Sequence, residues 1–190
     1  MEDTLDTFFK QLVNGLSLGS IYALIALGYT MVYGIVKLIN FAHGDVMMIG
    51  AYTGYFVLTA TGPTPLGLVL AFLGAMVVCA VLSIAIERCA YRPLRTAPRL
   101  NSLITAIAVE LILQNAMRVL PFVGPNPRQF PTMETKFFTF GSVQISNIQL
   151  IVIISSAVLM VILNYIINYT KTGRAMRAVS YDLGAASLMG

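Results

Sequence analysis

Long stretches without a charged side chain constrain the fold of this chain more than any other feature of its sequence. The 26 residues between Lys10 and Lys37 carry no charge, and neither do the 41 residues from Val46 to Ile86. A helix needs about 20 predominantly apolar residues to cross the hydrocarbon core of a bilayer. Only 11% of the residues are charged, whereas soluble domains typically carry about 25%. The sequence therefore predicts an integral membrane protein.

Prolines and charged stretches divide the apolar sequence into about five membrane-spanning helices. Pro63 and Pro65 separate the second helix from the third, because proline lacks a backbone donor and disfavours helix in the residue before it. We expect an all-α, polytopic membrane protein made of one domain, with one broken or re-entrant segment between the first two spans. The predicted spans are residues 11–36, 38–61, 66–86, 100–120 and 148–169.

The distribution of charge predicts which end of the chain lies on which side of the membrane. Residues 87–99 include four arginines, and the segment after residue 169 is also basic. Positive charge beside spanning helices is typical of cytoplasmic loops, so we attribute the net charge of +4 to topology and not to nucleic-acid binding. The acidic N-terminus and the proline-rich stretch 121–147 are then external. We expect the N-terminus outside and the C-terminus in the cytoplasm.

A short polar stretch, residues 34–45, interrupts the apolar sequence after the first span. It holds the single histidine of the chain, an asparagine, an aspartate and two glycines. Polar groups at membrane depth are costly and usually face a water-filled cavity or a solute. Alternatively, the stretch is a cytoplasmic turn in which Asn40 or Asp45 caps the next helix. The spacing leaves both interpretations open. The candidate residues for a translocation pathway are Asn14, Asn40, Phe41, His43, Gly44 and Asp45.

Catalytic and metal-binding sites are not expected from the sequence. One histidine cannot supply the two or three nitrogen ligands typical of catalytic zinc, and the two cysteines have no metal-type spacing. The chain also lacks a phosphate-binding Gly-x-x-x-x-Gly-Lys-Ser/Thr loop. Glu110 lies within the fourth span, where a carboxylate by default suggests function. We favour a structural explanation, in which Gln114 on the next turn hydrogen-bonds to it.

The C-terminal residues 170–190 combine a basic helix face with small residues. Arg174, Arg177 and Tyr181 are spaced to share one face of a short helix. The small residues that follow could seat in the groove of a partner protein. Alternatively, the basic face contacts anionic lipid. Composition does not separate these two interpretations.

Six blocks of the sequence form a pattern when they are taken together. They are residues 14–24 (NGLSLGSIYAL), 28–34 (GYTMVYG), 39–45 (INFAHGD), 87–88 with 90–95 (ER and AYRPLR), 113–115 (LQN) and 173–178 (GRAMRA). In order and spacing they resemble the permease subunit of bacterial ATP-binding-cassette importers for branched-chain amino acids. The resemblance runs from about residue 11 to the last residue.

The resemblance implies a subunit of the bacterial cytoplasmic membrane that moves branched-chain amino acids and performs no chemistry itself. It implies no cofactor on this chain, because a partner would hydrolyse the ATP. The implied partners are a second permease subunit (identical or not), two cytoplasmic ATPases and an external substrate-binding protein, besides membrane lipid. No nucleic acid is expected. The alternative is an ion- or proton-coupled transporter in which His43, Asp45 and Glu110 form a relay.

The resemblance also gives the C-terminal segment a role in coupling to the ATPase. Residues 184–190 resemble the importers' coupling loop, Glu-Ala-Ala-x-x-x-Gly, which sits in a cleft of the ATPase. Gly184 departs from that pattern, because the family has glutamate there. Family members continue with further spanning helices, so we expect a C-terminally truncated permease that does not transport on its own. The implied coupling residues are Arg174, Arg177, Asp182, Ala185, Ala186 and Gly190.

Overall fold

The computed structural model describes residues 2–36, 39–94, 98–131, 135–140, 143–182 and 186. The chain forms two compact units, one comprising Met1–Lys37 with Glu134–Gly190 and the other Leu38–Met133. We refer to them as the terminal unit and the central unit. The helices are α1 (Glu2–Val36), α2 (His43–Thr61), α3 (Pro65–Ile86), α4 (Arg99–Val119), α5 (Asn147–Tyr169) and α6 (Lys171–Tyr181).

The central unit is built on a helical hairpin of α2 and α3. Gly62 ends α2 with a φ of +81°, a conformation that glycine adopts without strain. The Thr64 hydroxyl then accepts a hydrogen bond from the Gly67 N–H (3.0 Å), and Pro65 occupies the first helical position, where its missing N–H costs nothing. These local signals turn the chain between the two helices.

Small residues let α2 and α3 approach closely. A Cβ added to Gly50 would lie 2.7 Å from the Cys79 Sγ, so the two helices touch at this point. The Cys79 thiol also donates a hydrogen bond to the Val46 carbonyl on α2 (3.3 Å). Close approach at small residues is the usual way in which helices pack where lipid supplies no hydrophobic driving force.

Helical structure continues beyond α3 into residues 87–99, which we predicted to be a cytoplasmic loop because they include four arginines. Glu87–Tyr91 is a π-helix and Arg92–Leu94 a 3-10 helix. Clustered arginines indicate a membrane side, but they do not break a helix, so charge alone did not locate this helix end. At Glu87 the α-helix does not end but widens locally into a π-helix.

The terminal unit packs α1 against α5 and adds a small β-hairpin. Strand β1 (Phe137–Phe140) pairs antiparallel with β2 (Val143–Ser146), with Phe137 opposite Ser146. We expected this part of the chain to be an external loop. The prolines that favoured a loop all precede residue 132, so they do not disturb the strands. Eight strand residues leave the fold class all-α.

Four described helices are long and apolar enough to cross a membrane: Thr7–Gly34, Pro65–Leu94, Leu100–Val119 and Asn147–Tyr169. The polytopic α-helical membrane class is therefore confirmed. We expected about five spanning helices; the second predicted span, 38–61, contains α2, which is not among the four. His43, Asp45 and the glycines of α2 lower its hydropathy. The side of the membrane on which each terminus lies stays a prediction.

Candidate translocation and coupling segments

The described part of the interruption before α2, residues 39–42, is a turn. The His43 N–H donates to the Asn40 carbonyl (3.2 Å), and the Val46 N–H donates to the Ala42 carbonyl (3.0 Å). Neither Asn40 nor Asp45 is the N-cap of α2, because that position is Ala42, whose methyl group offers no acceptor. The side-chain caps that we considered are thus replaced by backbone contacts.

The Asn40 side chain has a partner that is distant in the sequence. The Tyr91 hydroxyl, at the end of the π-helix, donates a hydrogen bond to the Asn40 Oδ1 (3.0 Å). Within the central unit, this hydrogen bond connects the turn before α2 to the π-helix that follows α3. Tyr91 was not among the predicted site residues, although it belongs to one of the six matching blocks.

The remaining pathway candidates of this unit surround the first turn of α2. Asp45 is 7% exposed and lies where the helix N-terminus favours a carboxylate. Phe41 is exposed, and a Cβ added to Gly44 would meet no atom within 4 Å. His43 is half-buried and has an interaction partner. The turn and the start of α2 thus combine a buried carboxylate with the exposed side chain of Phe41 and the open backbone at Gly44.

Asn14, the sixth pathway candidate, belongs to the terminal unit and joins two of its helices. Its Oδ1 accepts a hydrogen bond from the Gln149 Nε2 on α5 (2.6 Å). The other amide atom of Gln149, Oε1, accepts from the Ser146 N–H (3.0 Å) and completes a capping box at the start of α5. Asn14 therefore has a packing role, and its role in translocation stays a prediction.

The first part of the coupling segment is the helix α6, which follows α5 after a sharp corner at Thr170. Arg174 and Tyr181 are exposed, the latter by 88%. Arg177 is exposed as well, and its guanidinium reaches back to Asn168 on α5 with two hydrogen bonds that were not predicted. Asp182 ends α6, and its carbonyl accepts from the Ala186 N–H (3.0 Å). Ala185 and Gly190 lie outside the described residues.

Glu110 has the partner that the sequence suggested. The Gln114 Nε2 donates a hydrogen bond to the Glu110 Oε1 (3.2 Å) within α4. Among the described residues, no three or more histidine, cysteine, aspartate or glutamate side chains are grouped so that they could hold a metal ion.

Apolar helices, a polar turn before α2 and the amphipathic helix α6 define a multi-pass membrane protein. The family model for the permease component of branched-chain amino acid transport systems matches residues 11–190. The chain belongs to this family, which also confirms the resemblance found in the sequence.

Curated relatives share about two fifths of the residues. The chain is 41% identical to the high-affinity branched-chain amino acid transport system permease protein BraD of Pseudomonas aeruginosa. It is 40% identical to the permease protein LivH of the corresponding system in Escherichia coli K12 and in Salmonella typhimurium. Each alignment covers 96% of this chain and 62% of the relative, so the chain spans less than two thirds of their length. No solved structure matches it significantly.

Proposed function

We propose that the chain is part of the permease of an ATP-binding-cassette importer that carries branched-chain amino acids across the bacterial cytoplasmic membrane. The observation that carries this proposal is the family match over residues 11–190, which includes both the polar turn and α6. The names of the relatives support the substrate class, since each is called a branched-chain amino acid transport permease.

In this proposal the chain supplies a path and a mechanical connection, and other subunits supply energy and substrate. Two cytoplasmic ATPases would hydrolyse ATP, a second permease subunit would complete the path, and an external binding protein would deliver the amino acid. The turn at residues 39–45 would line the path, with Phe41 offering apolar contact to the substrate side chain. The coupling residues around α6 and the segment after it would contact the ATPase.

The source of energy for uptake distinguishes an ATP-binding-cassette importer from an ion-coupled transporter. We would extend the chain by the C-terminal spanning helices that family members carry, and express it together with the neighbouring transport genes in a strain that lacks its own branched-chain amino acid permeases. The measurement is uptake of labelled leucine. An ATP-driven importer should lose uptake when cellular ATP is depleted and keep most of it when a protonophore collapses the proton gradient at preserved ATP. Uptake that collapses with the gradient while ATP is unchanged would overturn the importer and establish the alternative.

Co-purification with the ATPase tests the coupling segment. The unchanged chain should retain the ATPase encoded beside it, and a chain with Ala185→Arg and Ala186→Arg should lose it, because two bulky charges would not fit a protein cleft. The control is Asn126→Arg with Gln129→Arg, which adds the same two charges at exposed residues of the predicted external loop. Equal retention by all three chains would contradict docking through this segment.

A further inference from the structure

We propose that the corner between α5 and α6 is a rigid joint, in which Asn168, Gly173 and Arg177 are positioning residues that transmit movement of the coupling segment to α5. This inference rests on the proposed function, because it assigns the joint a task in transport. It changes the role of Arg177, which the family resemblance placed among the residues that contact the ATPase.

The first observation is the fork of hydrogen bonds from Arg177. Its Nη1 donates to the Asn168 Oδ1 (3.0 Å), and its Nη2 donates to the Asn168 carbonyl (3.3 Å). That carbonyl lies in the last turn of α5, where carbonyl groups have no partner within the helix. A guanidinium there also complements the negative end of the helix dipole. Arg177 thus holds the second turn of α6 against the end of α5.

The second observation is the hydroxyl of Thr170, which connects both helices at the corner itself. Its Oγ1 accepts a hydrogen bond from the Gly173 N–H (3.1 Å) and so caps the start of α6. The same hydroxyl donates to the Ile166 carbonyl on α5 (2.5 Å). One side chain therefore fixes the first turn of α6 relative to the last turn of α5.

The third observation is the closeness of the two backbones at Gly173. A Cβ at this position would approach the carbonyl oxygens of Ile166 and Ile167 to less than 3.0 Å, a distance that real Cβ atoms essentially never show. The obstacle is backbone, which cannot rotate away as a flexible side chain would. Any side chain at residue 173 must therefore open the corner.

A joint held in three ways resists bending, and α6 also packs against α1. A force applied to the segment after Tyr181 would then rotate α5, because the corner does not absorb the movement. A loosely hinged α6 would instead move alone. Arg174 and Arg177 are both exposed. Arg174 stays available for a partner protein, whereas Arg177 acts through Asn168.

The transport test measures the number of amino acids imported per ATP hydrolysed, in proteoliposomes that contain the complete transporter. We expect Arg177→Ala to lower this ratio threefold to tenfold, while ATP hydrolysis and retention of the ATPase change by less than about twofold. Arg177→Lys should restore part of the ratio, since one ammonium group can reach one of the two oxygens of Asn168.

Lys171→Ala is the control, because it removes one positive charge from the exposed start of α6, and no coupling role is assigned to Lys171. It should leave the ratio unchanged. An equal fall with Lys171→Ala would show a charge effect and overturn the joint. ATP hydrolysis that falls in proportion to import with Arg177→Ala would overturn it too, because a general structural defect lowers both rates.

Hydrogen exchange tests the joint without transport. In protein held in lipid nanodiscs, Arg177→Ala should accelerate exchange of the α6 amides about threefold to tenfold, and Gly173→Ala should do so more strongly. Lys171→Ala should not change it. Unchanged exchange in both Arg177→Ala and Gly173→Ala would refute the rigid joint. Faster exchange in a transporter whose unchanged form shows no ATP-driven import would instead refute the proposed function, and with it the transmitting role of the joint.

Discussion

Replacement of Gly50 by alanine is expected to destabilise the packing of α2 against α3, and removal of the Cys79 sulfur is expected to cancel most of that loss. The added Cβ would lie 2.7 Å from the Cys79 Sγ. The sulfur cannot rotate away without breaking its hydrogen bond to the Val46 carbonyl. The two helices or the thiol must therefore move.

The destabilisation by Gly50→Ala follows from the overlap between the added Cβ and the Cys79 Sγ. An ordinary Cβ contact begins at 3.4 Å, so the neighbours must give way by about 0.7 Å in a close-packed interior. Overpacking of this kind costs about 1–3 kcal/mol. Alanine gains about 1 kcal/mol over glycine in a helix, so the net loss for Gly50→Ala is about 0–2 kcal/mol.

A second glycine of α2 separates the steric effect from helix propensity. Gly54 is buried one turn later, but a Cβ there would meet no atom within 4 Å. Gly54→Ala should therefore stabilise the protein by about 1 kcal/mol. The two variants should therefore differ by about 1–3 kcal/mol in free energy of unfolding. Helix propensity contributes equally to both, so the difference measures the steric overlap at Gly50.

The assay is an SDS titration of the protein in mixed micelles, followed by far-ultraviolet circular dichroism, since the chain has no tryptophan. The variants are Gly50→Ala, Gly54→Ala, Cys79→Ala and the Gly50→Ala, Cys79→Ala double variant. We expect an interaction energy of about 1–3 kcal/mol in favour of the double variant. Equal stability of the two glycine variants, or strict additivity of Gly50→Ala and Cys79→Ala, would refute the close approach of α2 and α3.

Three further sets of variants test individual side-chain contacts, again by SDS titration. Tyr91→Phe should cost about 1 kcal/mol, because it removes the hydroxyl that donates to Asn40, and it should add nothing to Asn40→Ala; an additive double variant would rule out that hydrogen bond. Gln149→Leu should cost about 1–2 kcal/mol by loss of the capping box and the bridge to Asn14, and Asn14→Leu only about 0.6 kcal/mol; the reverse order would contradict the double role of Gln149. Thr64→Ala should cost about 1 kcal/mol and Thr64→Ser much less, whereas equal losses would show that the cap of α3 contributes little.

The features that could be predicted from the sequence depend on residues that are close together in the chain. The turn between α2 and α3 lies where glycine and proline interrupt the uncharged run, because both residues act on the backbone of their immediate neighbours. The bond between Glu110 and Gln114 was also predictable, since side chains four residues apart on a helix are neighbours. Family blocks then indicated candidate functional segments, which composition leaves ambiguous.

Contacts between distant residues account for most of what the sequence did not predict. Asn40 and Tyr91 are 51 positions apart, and Asn14 and Gln149 are 135 apart, so no helical or strand period connects them. The fork from Arg177 to Asn168 spans only nine positions, but it crosses a corner whose angle depends on packing at Gly173. Asn14 and Asn40, which are candidates for the translocation pathway, thus also connect distant parts of the fold.

Of the five described helices of 19 or more residues, α2 is the one that is not apolar enough by itself to cross a membrane. Besides Asp45 and Leu58, α2 buries two glycines, and it contacts both α3 and α4. The rings of Phe122 and Phe130, in the stretch after α4, lie against the aromatic side chains of its second half. Lipid would disfavour the polar start of α2, whereas protein neighbours can surround it. Contacts with α3 and α4 thus offset part of the low hydropathy of α2, and they leave Phe41 and Gly44 of the proposed path at residues 39–45 exposed.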